Sequence, residues 1–245
     1  MPIARLTGND NVAGPLLRRA RHIGFRLAAL LAALGSAACG PFTAYAPKAG
    51  VPQAYACDVE ACYRHDLPTY VPPDPFEAGR IDLTGDGHLE EVHRVGSEVF
   101  IYAGGYEVWR SPREWRVVDV ALGDPNDDGR GEVLLAFWRE DDTGVPRSHP
   151  FIVGYREGRY RTVWGGSAVA YPIYEMALGD VTGDGTEELI VLEAHGEVER
   201  SVSVWRWHGW GFSLIWRGEI ARYQDLGLVY NEDQASQIIA VLALP

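Results

Sequence analysis

The sequence predicts an all-β chain made of repeated four-stranded units. Three observations carry this. An Asp-rich nonapeptide recurs three times, a tryptophan recurs in phase with it, and the runs between are short and rich in Val, Ile, Tyr, Trp and Phe. No segment after residue 75 shows helical periodicity. Composition agrees with a folded chain. The 245 residues are 47% apolar and 23% charged, with 28 Gly and 15 Pro to punctuate turns.

The N-terminus comes first. Residues 16–26 are basic, residues 27–38 are apolar and end in small side chains, and Cys39 follows. That order describes a secretory signal over residues 1–38. The Cys after small residues resembles a bacterial lipoprotein signal, although Ser36 stands where Leu is usual. The resemblance implies lipidation at Cys39 and an exported protein held at a membrane, at the cell surface or in the periplasm. Plain secretion with cleavage near Ala38 is the alternative. Cys57 and Cys62 remain as an even pair in an oxidising compartment, so a disulfide between them is expected, with two free buried thiols as the alternative. Residues 39–75 hold seven prolines and read as an extended tether that excludes a helix or a central strand.

Charge limits the partners. The formal net charge is −12. The first 38 residues contribute +4 (five Arg against Asp10), so the remainder carries −16. Such a surface repels phosphates and excludes sequence-independent nucleic-acid binding. Lys48 is the single lysine, so lysine chemistry is not expected.

The repeats then follow in order. Asp82-LTGDGHLEEV, Asp124-PNDDGRGEVL and Asp180-VTGDGTEELI share D-x-[TN]-x-D-G-x-x-E before an apolar run. Trp109 precedes Asp124 by 15 residues, and Trp164 precedes Asp180 by 16. The same step from Trp216 reaches Glu232, which marks a fourth, decayed copy ending in Gln237–Leu242. Each copy supplies one strand before the Asp loop, one after it, and a hairpin that ends at the phased Trp. The turns are Gly104-Gly105, Arg156-Glu157-Gly158 and His208–Gly211. Repeats of about 76–114, 115–167, 168–220 and 221–245 result. Four antiparallel strands at that period describe a β-propeller-like fold, with three blades plus a degenerate fourth. A propeller must hide its edges, so strands from the tether are expected to complete the last hairpin, about 222–244, into a four-bladed ring.

The three Asp loops, their flanking strands and the pairs Gly123-Asp124 and Gly179-Asp180 resemble FG-GAP and VCBS-type repeats, those of integrin-like propellers. The likeness covers roughly residues 76–242 and departs from the family at Thr84 and Thr182, where Asn or Asp is commoner.

The loop chemistry points to a hard cation. Side chains at positions one, three and five converge inside a tight loop, Gly at six permits the turn, a carbonyl at seven adds an oxygen, and an acid at nine closes the cage. The sets are Asp82, Thr84, Asp86, Glu90 with the His88 carbonyl; Asp124, Asn126, Asp128, Glu132 with that of Arg130; and Asp180, Thr182, Asp184, Glu188 with that of Thr186. The resemblance implies the same positions. Two carboxylates about 4 Å apart repel by about 1 kcal/mol in water and about 4 at an effective dielectric near 20, so a cation would hold the loop together. All-oxygen donors favour Ca²⁺, at two or three structural sites. Acids that merely face solvent around Asp-Gly turns are the simpler alternative.

Catalytic signatures are lacking. None of the seven histidines has metal-ligand spacing, no serine lies in G-x-S-x-G, and no catalytic residue is assigned. The phased tryptophans read as packing between blades, while His208 and Trp210 at a hairpin tip are candidate ligand contacts, with ordinary packing as the simpler alternative. The resulting reading is an exported, membrane-anchored, calcium-binding module for a protein or surface glycan. An extracytoplasmic enzyme acting on polysaccharide and a docking subunit of a membrane-associated complex are the rivals.

Overall fold

A computed structural model describes residues 42–48, 51–57, 76–140, 146–166, 171–230 and 236–242. It is all-β, with 16 strands in four antiparallel sheets of four. The expected lipidation at Cys39, the Cys57–Cys62 disulfide and the decayed loop around Glu232 lie outside the described residues and side chains.

Three sheets are built from consecutive strands. The first holds β3 (Ala78–Ile81), β4 (Glu90–Val95), β5 (Glu98–Ala103) and β6 (Tyr106–Arg110). The second holds β7 (Arg116–Gly123), β8 (Glu132–Glu140), β9 (Pro146–Arg156) and β10 (Arg159–Gly165). The third holds β11 (Ile173–Gly179), β12 (Glu188–Ala194), β13 (Arg200–Trp207) and β14 (Phe212–Arg217). Each Asp loop joins the first two strands of its sheet, as the repeats predict. Turn chemistry sets the hairpins. Gly104 and Gly105 have φ of 56° and 84°, and Glu157 and Gly158 have 55° and 78°. Both pairs therefore take the left-handed turn that matches strand twist.

The fourth sheet corrects one expectation. Its order is β15-β16-β1-β2, with β15 at Tyr223–Tyr230, β16 at Ser236–Leu242, β1 at Phe42–Lys48 and β2 at Val51–Cys57. The stretch read as a tether thus supplies two strands, and β1 is central. Proline is tolerated because of where it falls. The β1–β16 pairing runs from Phe42↔Val241 to Tyr45↔Ile238 and contains no proline, while Pro47 and Pro52 face each other near the β1–β2 turn. Strands separated by about the whole domain in sequence therefore share one sheet, and residue 75 does not part a tether from the repeats.

Apolar clusters fill the junctions between successive sheets. Leu83, Val92 and Ile101 of the first sheet meet Val120, Leu135 and Phe137 of the second. Leu134 and Ile152 meet Ile173, Leu178 and Val191. Ile190, Leu192 and Val204 meet Leu226 and Ile238. The phased tryptophans pack one per junction, Trp109 in the first, Trp164 in the second and Trp216 in the third. Alternation along each strand sends one face to each junction, so the second and third sheets, which border two junctions each, are buried on both sides along β8 and β12.

Candidate functional site: the Asp-loop face

In every loop the leading Asp organises the backbone. The Asp82 carboxylate accepts the amides of Gly85, Asp86 and Gly87 at 2.7, 3.2 and 2.8 Å. Asp180 accepts those of Gly183, Asp184 and Gly185 at the same three distances. Asp124 accepts Asp128 and Gly129 at 3.1 and 2.8 Å. Gly at position six has φ of 86°, 83° and 91° in the three loops, so its amide turns inward at no side-chain cost. The position-five acids accept the amides of His88, Arg130 and Thr186. That amide holds the Asp86 carboxyl below its ordinary pKa, and the His88 ring also lies 3.2 Å from Asp86 Oδ1.

The position-nine acids differ in kind. Glu90, Glu132 and Glu188 are all buried. Glu90 Oε2 accepts the Leu83 amide at 2.8 Å, and Glu188 Oε2 accepts that of Val181 at 3.1 Å. The equivalent residue in the second loop is Pro125, which has no amide to give. Glu132 Oε2 accordingly meets no donor among the described residues. Burial pushes the Glu132 carboxyl up to about 7.

The other carboxylate oxygen tells the loops apart. Arg206 Nη2 lies 2.7 Å from Thr182 Oγ1 and 2.8 Å from Asp184 Oδ2, and it also bonds Glu188 Oε1. Arg156 Nη2 lies 2.6 Å from Asp128 Oδ2 and 2.7 Å from Glu132 Oε1, where Asn126 Nδ2 also donates at 2.8 Å. In the first loop the Tyr160 hydroxyl, from the next sheet, donates to Glu90 Oε1 at 2.9 Å. Register explains the difference. Leu189↔Trp205 sets Arg206 opposite Glu188, and Val133↔Val153 sets Gly154 opposite Glu132. Gly154 leaves room for Arg156 to reach back. Glu91↔Tyr102 sets Ala103 opposite Glu90, which is too short to reach it.

A donor test against calcium therefore separates the loops. Asp82, Thr84, Asp86 and Glu90 offer only oxygens and meet no guanidinium, although no three acids, histidines or cysteines among the described residues are gathered closely enough to hold a metal ion. In the second and third loops a guanidinium nitrogen already lies between the acids at positions five and nine. Those two sets do not fit Ca²⁺ while the arginine stays.

The same face carries the hairpin tips. The Asp loop joins strands one and two of a sheet, and the outer hairpin joins strands three and four. With antiparallel strands, both fall at one end. Tyr106 and Trp210, each 79% exposed, stand at two of those tips. The Trp210 carbonyl accepts the Trp164 Nε1 hydrogen at 2.9 Å, and the His208 ring meets the Trp210 ring edge-on at 4.5 Å between centroids. A braced backbone thus holds an uncovered indole outward.

One further cluster escaped the sequence reading. A cavity of about 560 Å³ is lined by β7, β11 and β15, the leading strands of three sheets, together with Phe76 and Arg94. Asp119, Glu175 and Asp225 all line it, each at a β-bulge of its strand. Asp119 Oδ2 accepts the Met176 amide at 2.7 Å, and Glu175 Oε2 accepts the Leu226 amide at 2.8 Å, so each carboxylate ties its sheet to the next. Burial and the Asp225 charge push Glu175 up to about 8. Asp119 is also raised by burial. A signal was present in the sequence. Asp119-Val-Ala-Leu-Gly-Asp124 and Glu175-Met-Ala-Leu-Gly-Asp180 place an acid five residues before each loop.

No family model matches the chain, and no curated protein matches it. A solved structure similar to it is that of BBS1N in complex with ARL6DN, soaked with mercury, at 13% identity and a TM-score of 0.27. The match covers 78% of this chain and 71% of that one. A likeness at that level bears on neither site nor function.

Proposed function

We propose that this chain is a non-enzymatic interaction module. Its four sheets are the blades of a propeller of the FG-GAP type, closed by β1 and β2, exported and anchored through Cys39. The Asp-loop face is its docking face, and the partner is a protein or a surface glycan. The observation that carries this reading is Trp210, an exposed aromatic on a backbone pinned by Trp164. Ordered aromatics of this kind contribute most at binding centres because they lose little entropy on contact. Calcium belongs to the first loop, on Asp82, Thr84, Asp86 and Glu90, where it stiffens the face. A glycan array and crosslinking to cell-envelope proteins test the docking face. Trp210→Ala is expected to weaken the captured partner at least tenfold with unchanged melting, and undiminished capture refutes the assignment.

The enzymatic reading has one observation in its favour, the raised Glu175 beside Asp225 in a cavity. Both carboxylates accept the Leu226 amide, Glu175 from across the sheet junction and Asp225 from the neighbouring position, which is a structural duty. Screening the full chain on polysaccharides decides it. Turnover lost in Glu175→Gln, with folding intact, would install the hydrolase in place of the module.

A further inference from the structure

We infer that Arg206 and Arg156 are resident cations of the third and second Asp loops, taking the place a divalent metal ion would fill. The inference stands apart from the docking reading and from calcium at the first loop. It rests on three facts.

The first is position. Arg206 Nη2 reaches the side chains at positions three, five and nine of its loop at once, Thr182, Asp184 and Glu188. Those are the side chains that would have to converge on a metal ion. Arg156 Nη2 bridges positions five and nine of the second loop. The second fact is burial. Glu132 and Glu188 have no exposed side-chain surface, so an unpaired charge there is costly and some cation is required. The third is that the two arginines arrive by different routes. Arg206 stands directly opposite Glu188, whereas Arg156 lies two residues past Gly154, whose missing side chain opens the way. Two different register positions thus bring a guanidinium to the acids at positions five and nine. Guanidinium suits the task because its charge is permanent and its planar fork meets several oxygens together. The leading Asp of the second and third loops is already held by backbone amides, so the guanidinium serves the acids at positions five and nine.

The consequence is a division of labour along one face. Two loops are set whatever the calcium concentration, and only the first responds to it.

The test uses the full chain carrying Asp86→Ala, which silences the first loop at an exposed side chain. Calorimetric titration with Ca²⁺ is expected to show no binding, and the melting midpoint in calcium is expected to match that in chelator. Any Ca²⁺ bound by that protein overturns the inference. Adding Arg206→Met is expected to create one Ca²⁺ site per chain, lower the midpoint in chelator, and restore part of the loss in calcium but not in magnesium. Arg156→Met is expected to do the same at the second loop. Should the Arg206→Met chain fail to fold in chelator, it is refolded in calcium and in magnesium. Recovery in calcium alone supports the inference, and recovery in neither overturns it. Absence of calcium binding by the unaltered chain would refute the first-loop assignment and leave this inference standing.

Discussion

At the residue scale the three loops form a natural substitution series. Position two is Leu83, Pro125 or Val181, and only the proline withholds an amide from the glutamate at position nine. Pro125→Ala should supply the missing donor to Glu132 Oε2. A hydrogen bond to a charged group is worth about 1.5–3 kcal/mol, and the lost proline rigidity costs about 0.4–1 kcal/mol, so net stabilisation near 1 kcal/mol is expected in urea melts. A lower stability would show that the second loop cannot aim that amide. Glu175 offers a second test. Its carboxyl is raised in the folded chain, so the folded state holds its proton more tightly than the unfolded one. Stability from this group is complete below the ordinary carboxylate range and is lost as pH rises toward about 8. Glu175→Gln keeps an acceptor for the Leu226 amide and removes the titration. The variant should therefore be the more stable protein at pH 8, with a flatter profile between pH 5 and 8. An unchanged profile would count against the burial of this carboxyl.

At the element scale, neighbouring loops lean on one another at glycines. The Gly131 amide donates to the Asp82 carbonyl at 2.7 Å, joining the second loop to the first. A Cβ on Gly131 would collide with the Ile81 side chain and come within 3.1 Å of the Asp82 carbonyl oxygen. Glu187 similarly accepts the Asp124 amide at 2.7 Å across the next junction. Gly131→Ala should cost about 1–3 kcal/mol through overpacking, measured by chemical denaturation. A neutral result would mean that β3 yields easily. The element scale is also where the sequence was most readable. Strands such as β7, β8, β11 and β12 were legible because alternating or wholly apolar runs end at Gly-Asp loops that cannot continue a strand. The leading Asp of each loop was legible for the same reason, since Asp-x-x-x-Asp-Gly is a local turn code. Arg156 and Arg206 were not. Each belongs to a strand remote from its loop in sequence, and nothing local marks which arginine turns inward.

At the scale of the whole molecule, β1 and β2 govern the last sheet. Without them β16 would present an unpaired edge along the stretch that includes Ile238 of the third junction. Deleting residues 42–57 is expected to give a protein that aggregates or melts well below the full chain. A monomer of undiminished stability would mean that β15 and β16 stand alone. The sequence by itself determined the repeat, the strands, the Asp loops and the tryptophan at each junction, because each follows from chemistry within about ten residues. The tertiary structure alone decided that β1 takes a central place in the last sheet, that Asp119 and Glu175 tie neighbouring sheets, and that arginines fill two loops. Those outcomes depend on register between paired strands, and register is fixed by which face of each strand is buried, a property no short stretch of chain contains.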